Sequence, residues 1–388
     1  MRDRLQIVEA FESLAAAGRP AALATVVSVE GSSYRRPGAR MLVAGDGRTW
    51  GTISGGCLER DVARRARLFV PEPHKPQIVA YETDTEDAGE ENARPVTDPG
   101  PSLGCGGRIE ILLQRITPTD PGPLAALSAV VRQRRHAAIA TVIRVGSVED
   151  DRIIPGIGIT RIGDDEPQGR TNDPALNDAI FRRLLESNHS FQIDRHNLSR
   201  GGWADVLTQW MSPSQALAIF ADGHDVAPLV ELAHLLGWHV TVIGSRSLAA
   251  LRQNFPFADQ LICSPDDPAA AAADLPPDSA AVVMGHNFHR DTAVLTELLR
   301  HPRAYIGILG PRRRTARLLS SAGCAGDEDN IYSPVGLDIG ADNPEQIALA
   351  IIAEIQAVSA GRAGQSLRQR PGPIHLTCEE LKEIPSSS

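Results

Sequence analysis

The sequence predicts an α/β protein in two parts: a mixed α+β domain over residues 1–211, then a doubly wound parallel-sheet domain over 212–388. The second part carries this prediction most strongly, because short apolar runs alternate there with helical spacing, as they do when helices cover both faces of a parallel sheet. The first part instead strings β-branched runs together through Gly/Pro turns, which favours antiparallel pairing. With 388 residues, of which 42% are apolar and 22% charged, the chain is long enough for two or three cores and has a globular composition.

The elements follow in order. Leu5, Ile7, Val8, Phe11, Leu14 and Ala15 fall at helical spacing, and Gly18-Arg19-Pro20 ends that helix. Strands are predicted at Ala21–Val29 and Arg40–Val43, and the turn Gly45-Asp46-Gly47 leads to a third at Thr49–Ile53. A helix over Leu58–Val70 and a strand at Gln77–Tyr81 come next. Residues 82–98 carry seven acidic side chains against Arg94 alone and read as a solvated loop. Beyond it lie a strand at Ile109–Leu113, a helix near Leu124–Arg134, a strand at Ala137–Val145, turns over Gly163–Asn172 and a strand at Trp203–Trp210, with Ser212-Pro213-Ser214 as linker.

In the second part the predicted strands are Ala216–Phe220, His239–Ile243, Gln260–Cys263, Ala280–Met284 and Tyr305–Leu309. The predicted helices are Val226–Leu236, Asp291–Leu299, Arg312–Leu319 and Pro344–Ala357, the last with proline in its first turn.

A formal charge of −9 argues against nucleic acid as a partner, since phosphate contacts need a basic face. No apolar run approaches membrane-spanning length, and the N-terminus lacks a signal-peptide core, so neither stable membrane insertion nor export is expected. Five cysteines, at 57, 105, 263, 324 and 378, form no CxxC or regular ladder, which points to a reducing, cytoplasmic setting.

Two of the cysteines sit in unusual company. Ser54-Gly55-Gly56-Cys57 places a thiol at the expected first turn of a helix, where thiolate is favoured and two glycines let a ligand approach the backbone. Cys105 lies between Gly104 and Gly106-Gly107, a bare segment whose glycines cost conformational entropy without a packing gain. A lone cysteine is ordinarily a small buried hydrophobe, and Cys263, ending a strand, reads as core.

The turn after the first strand of the second part, Ala221-Asp222-Gly223-His224, stands where a Rossmann-like domain holds a phosphate. The G-x-G-x-x-G pattern is broken there, Asp222 would repel a pyrophosphate, and Gly244 stands where an acidic residue would grip a ribose, so NAD(P) binding is not expected. Loops at Gly285-His286-Asn287-Phe288-His289 and Gly310-Pro311-Arg312-Arg313-Arg314 end two further strands and could line one crevice with Gly223 and His224, the run Arg312–Arg314 receiving an anion at a helix N-terminus.

These residues resemble the XdhC/CoxI family, accessory proteins that mature molybdenum hydroxylases of the xanthine dehydrogenase type. The resemblance is carried by GSSYRRPGARMLV (31–43), GTISGGCLERDV (51–62), SLGCGGRIEI (102–111), GHDVAPLVELAHLLGWHVTVI (223–243), VVMGHNFHRD (282–291), YIGILGPRRR (305–314) and PVGLDIGADNPEQIALAIIAEI (334–355). It implies a chaperone rather than a turnover enzyme. Such a protein binds molybdenum cofactor, shields it while a cysteine desulfurase replaces a terminal oxo ligand by sulfur, and delivers it to the apo-hydroxylase. By this resemblance Cys105 contacts the metal end, Cys57 comes second, and Arg40, Ser54, Gly55 and Gly56 shape the pocket with Gly104, Gly106 and Gly107. The family's Gly-Ala-Gly-His turn is altered here to Ala221-Asp222-Gly223-His224. A homodimer is the expected assembly on symmetry grounds. The alternatives are an NAD(P)-dependent oxidoreductase, from the βαβ pattern at 216–243, and a non-catalytic scaffold that docks the maturation machinery through its acidic loop.

Overall fold

A computed structural model of the chain describes residues 2–31, 35–56, 58–72, 74–82, 107–146, 153–186, 191–301, 303–323 and 329–369. The expectations for Cys57, Gly104, Cys105 and Gly106, and for all but the first residue of the acidic loop, lie outside these residues. Two compact units part between Pro213 and Ser214.

The first unit opens with α1 (Arg2–Ala16), β1 (Ala21–Gly31), β2 (Arg40–Ala44) and β3 (Thr49–Gly51), followed by α2 (Glu59–Ala66), β4 (Gln77–Glu82) and β5 (Gly107–Ile116). It continues through α3 (Leu124–Arg132), β6 (Ala137–Gly146), β7 (Gly158–Ile162), α4 (Pro174–Leu185), β8 (Phe191–Asn197) and β9 (Trp203–Met211). The strands make two antiparallel sheets, ordered β3-β2-β1-β5-β4 and β7-β6-β9-β8. Their facing sides share a core, because alternate residues of β1 and β2 (Ala21, Leu23, Leu42) meet Ile139 and Met211 of the second sheet, with Ile7 of α1 and Leu127 of α3 filling the same layer. The opposite face of the first sheet packs on Val62 and Ala66 of α2, and that of the second on Leu176 and Ile180 of α4.

Charged side chains join the two sheets across this unit. Glu110 of β5 pairs with Arg108 at 3.0 Å and with Arg144 of β6 at 2.5 Å, while Arg144 approaches Asp205 of β9, which Arg195 of β8 grips through Nε at 2.8 Å. The alternating signs balance charges that burial would otherwise penalise.

The second unit runs β10 (Ala216–Phe220), α5 (Ala227–Leu235), β11 (His239–Gly244), α6 (Leu248–Asn254), β12 (Gln260–Cys263), α7 (Pro268–Ala273), β13 (Ala280–Val283), α8 (Phe288–Leu299), β14 (Ile306–Ile308), α9 (Arg312–Ser321), β15 (Ile331–Tyr332) and α10 (Pro344–Ser359). All its pairings are parallel, in the order β12-β11-β10-β13-β14-β15. Apolar residues of α5, α6 and α10 cover one face, and those of α7, α8 and α9 the other, so the sheet is doubly wound as expected. Chain order reverses between β10 and β13, which places the switch point at their carboxyl ends. Cys263 departs from its reading as core: the strand that it ends is the sheet's edge, and its thiol is exposed. Among the described residues no helix is long and apolar enough to cross a membrane.

Candidate functional site

In the first unit the Ser54-Gly55-Gly56 segment bends around a carboxylate of its own chain. The Oε1 atom of Glu59 accepts the backbone N–H groups of Ile53 at 3.1 Å, Ser54 at 2.9 Å and Gly55 at 3.1 Å, and Oε2 accepts Gly56 N–H at 2.9 Å and the Ser54 hydroxyl at 2.5 Å. Ser54 Oγ in turn accepts Leu58 N–H at 3.0 Å. Gly55 and Gly56 take φ of +96° and +122°, which only glycine adopts without strain, and at Gly56 a Cβ would meet open space, so torsion and not crowding calls for glycine there. Burial opposes the charge on Glu59, but the hydrogen bonds from Ser54 and its neighbours prevail and hold the carboxyl down at about 2. The loop donors expected to face a ligand thus face Glu59. The α-helix begins at Glu59, two residues after Cys57.

The sequences flanking the two glycine-bracketed cysteines meet at one end of the first sheet. Asp61 on α2 accepts the Tyr81 hydroxyl at 2.7 Å, and Tyr81 of β4 pairs across the sheet with Ile109 of β5, two residues beyond Gly107. Gly107 itself opens β5 opposite Gly31 of β1. Burial works against the Asp61 charge as well, yet Arg65, Tyr81 and Arg64 hold its carboxyl down at about 2.

Arg40 starts β2 opposite Thr25 of β1 and is only 8% exposed. Its Nη1 donates to the Gly38 carbonyl at 3.0 Å, whereas its Nε is buried without a partner. Among the described residues no carboxylate forms an ion pair with it, and the neighbouring charge that acts on it belongs to Arg4, another cation. Burial first and Arg4 second lower the guanidinium to about 10. Nearby, Thr25 Oγ1 and Gln209 Oε1 are also buried without partners, the Gln209 amide lying against Gly38.

In the second unit a cleft of about 400 Å³ opens at the switch point, lined by Ala221, Asp222, Gly244, Ser245, Gly285, His286 and Asn287, with Arg290 and Asp291 from α8. Asp222 occupies one wall: its Oδ2 accepts Ser245 N–H at 2.7 Å, Ser245 Oγ at 2.8 Å and Arg246 N–H at 3.1 Å. A Cβ on Gly244 would lie 2.8 Å from Asp222 Cβ, so the bare glycine and the acidic residue go together: the carboxylate comes from the end of β10 instead of the end of β11. Behind the cleft, buried Asp291 pairs with Arg314 of α9, whose guanidinium also donates to the carbonyls of Gly285 at 2.9 Å and Leu309 at 3.2 Å. Burial pushes the Asp291 carboxyl up, and Arg314 opposes that shift.

Of the loops expected to converge, the structure brings His286 to this cleft, but Gly223, His224 and Arg312 are not among its lining residues. His224 and Arg312 are exposed, and Arg314, two residues along the same basic run, supplies the inward contact. Sequence reasoning passed over Glu59 and Asp291 and took Arg314 only as part of a basic run that would receive an anion, although the stretch Ser54-Gly55-Gly56-Cys57-Leu58-Glu59 was open to view. Among the described residues no group of three or more His, Cys, Asp and Glu side chains is arranged to hold a metal ion.

Comparison with known proteins matches residues 14–82 to the model of the XdhC and CoxI family and residues 217–355 to that of the XdhC Rossmann domain. A probable xanthine dehydrogenase subunit from Bacillus subtilis is 32% identical over 337 residues, covering 86% of this chain and 92% of that protein. The molybdenum cofactor insertion chaperone PaoD of Escherichia coli is 26% identical over 346 residues, 88% of this chain and 84% of that one. The crystal structure of a xanthine dehydrogenase from Bacillus halodurans superposes with a TM-score of 0.69 at 29% identity, covering 94% of this chain and 98% of the other. Likeness that runs through both units at this level of identity places the chain in the XdhC and CoxI family.

Proposed function

We propose that the protein is a molybdenum cofactor chaperone: it binds the cofactor in its first unit, carries it through sulfuration by a cysteine desulfurase, and passes it to a molybdenum hydroxylase of the xanthine dehydrogenase type. The observation that carries this reading is the meeting of the two cysteine-flanking segments at one end of the first sheet, through Asp61, Tyr81 and Ile109. The likeness to a molybdenum cofactor insertion chaperone over most of both chains supports it. In this reading Cys105 supplies a soft thiolate to the metal end of the cargo, with Cys57 second. Gly104, Gly106 and Gly107 let the backbone come close to the pterin, and Arg40 meets an anionic group. Ser54, Gly55 and Gly56 shape the pocket indirectly, by holding Glu59. The altered Rossmann-like unit serves docking or another ligand, with His286 inside the cleft and Gly223, His224 and Arg312 outside its lining. A cytoplasmic homodimer belongs to the same proposal.

Reconstitution tests it. Apo-hydroxylase mixed with free cofactor and this protein should gain activity faster and to a higher plateau than with cofactor alone, and Cys105→Ala should remove the gain. Equal activation with and without the protein would count against a chaperone.

A further inference from the structure

The cleft at the switch point of the second unit joins apolar walls to a pair of oxygen acceptors. Phe220, Ile243, Pro268 and Val294, all buried, line its inner part, and its volume of about 400 Å³ suits a small molecule. The three hydrogen bonds that Asp222 accepts, from Ser245 N–H, Ser245 Oγ and Arg246 N–H, all fall on Oδ2, and among the described residues Oδ1 accepts none. Burial opposes the charge on Asp222, but the hydrogen bonds from Ser245 and Arg246 prevail and lower its pKa, so the group is a carboxylate at neutral pH. Ser245 spends its one hydroxyl proton on that carboxylate, which leaves its oxygen lone pairs to accept. Asp222 Oδ1 and Ser245 Oγ are thus two neighbouring acceptors in the lining of one cleft, the pattern that receives the two hydroxyls of a vicinal diol. In a dinucleotide-binding domain an acidic residue at the end of the second strand takes this part. Here that strand, β11, ends at Gly244, whose bare face admits the Asp222 side chain from the turn after β10.

The same rearrangement decides what can follow the ribose. A pyrophosphate would sit at the turn ahead of α5, on backbone N–H groups. Asp222 lies in that turn, and the Asp225 carboxylate lies against the face of Gly223, so two negative charges occupy the place. Arg290, a cation of the lining, donates to the carbonyls of Ser264 at 3.0 Å and Pro265 at 3.1 Å, which commits it to tying α8 to the loop after β12. We propose that the cleft binds a ribonucleoside unit that carries no phosphate at its 5′ position. The base lies against Phe220, Ile243, Pro268 and Val294, and the ribose hydroxyls donate to Asp222 Oδ1 and Ser245 Oγ. The 5′ substituent is uncharged or positive, as the two carboxylates require. This gives content to the ligand role left to the second unit in the reading above, but no part of it uses the cysteines, the pterin or the first unit.

The test titrates the full chain with adenosine, guanosine, cytidine and uridine, by calorimetry or ligand-observed NMR, then with the 2′-deoxy form and the 5′-monophosphate of the tightest binder. At least one ribonucleoside should bind saturably. Its 2′-deoxy form should bind about ten-fold more weakly, because an acceptor in the cleft loses its donor. Its 5′-monophosphate should bind weaker by about ten-fold or more, through repulsion from Asp222 and Asp225. Asp222→Asn puts an amide beside the diol and removes one negative charge, so both ratios should move toward one. Ser245 is exposed, so Ser245→Ala should fold, reduce the 2′-deoxy ratio and leave the 5′-phosphate ratio as in the wild type. It carries the test if Asp222→Asn does not fold. The proposal is overturned by a lack of saturable binding for all four ribonucleosides, by a 2′-deoxy form or 5′-monophosphate that binds as tightly as its parent, or by ratios unchanged in the variants. No pterin or hydroxylase enters the titration, so its failure leaves the chaperone reading standing, and failed reconstitution of a hydroxylase leaves this site standing.

Discussion

Glu59 receives five hydrogen bonds from the four residues that precede Cys57, and this gives a small loop a defined shape. Its carboxyl is held at about 2, below its ordinary 4.5, so its contribution to stability is complete above the higher value and is lost as pH falls toward the lower one. Acid unfolding should therefore steepen between those two values, with Asp61, also held at about 2, adding to the slope. Glu59→Gln should cost about 1–3 kcal/mol at neutral pH, because an amide NH₂ would face backbone donors, and it should flatten the acid slope. Stability followed by chemical denaturation from pH 6 downward checks this, and an unchanged slope in the variant would show that the carboxylate is not held as described. The glycines that frame this loop were legible in the sequence, but their purpose was not. Spacing alone cannot tell a nest built for a ligand from one filled by the chain's own side chain.

Elements differ in how openly they declare themselves. β10 falls on the predicted residues, and β11 and β13 differ by a single residue at one end, because parallel strands buried on both faces read as unbroken apolar runs between turns; the edge strand β12 also falls on its predicted residues, although it is only partly buried. Of the unpredicted elements, α6, α7 and β15 are short pieces of the second unit, while β7, α4 and β8 form the second sheet's edges and its covering helix. The polar β8, FQIDRHN, is an edge strand with only partial burial, and α4 interrupts its apolar residues with Arg182, which is exposed, and Arg183, which lies over Trp210 of β9, so neither shows a strong apolar period. The capping signal of α4 was nonetheless present: Asp173 accepts Leu176 N–H at 2.9 Å ahead of Pro174. In the second unit, α8 and α9 are tied behind the cleft by Asp291 and Arg314. Arg314→Met leaves a buried carboxylate alone and should destabilise by about 3–5 kcal/mol, while adding Asp291→Asn should recover part of that loss. Thermal unfolding of the single and double variants measures the coupling, and simple additivity would mean that the pair does not hold the two helices.

At the scale of the molecule, one chain joins an antiparallel two-sheet unit to a doubly wound parallel one. The fold class was legible because each half has its own hydrophobic period. The candidate site was legible only in part: the cysteines and glycines advertise reactive or bare backbone, whereas the pairing of Asp222 with Gly244 and the unpaired Nε of Arg40 depend on contacts between distant segments. The division of labour proposed here puts the cargo in the first unit. The most direct test is the pterin content, by acid oxidation and fluorescence, of protein purified without oxygen from cofactor-producing cells, beside Cys105→Ala and Cys57→Ala variants with wild-type thermal stability. A chaperone with its site in the first unit should carry near-stoichiometric pterin that Cys105→Ala loses and Cys57→Ala reduces. Wild-type protein without pterin, or a folded Cys105→Ala protein with its pterin undiminished, would contradict this account.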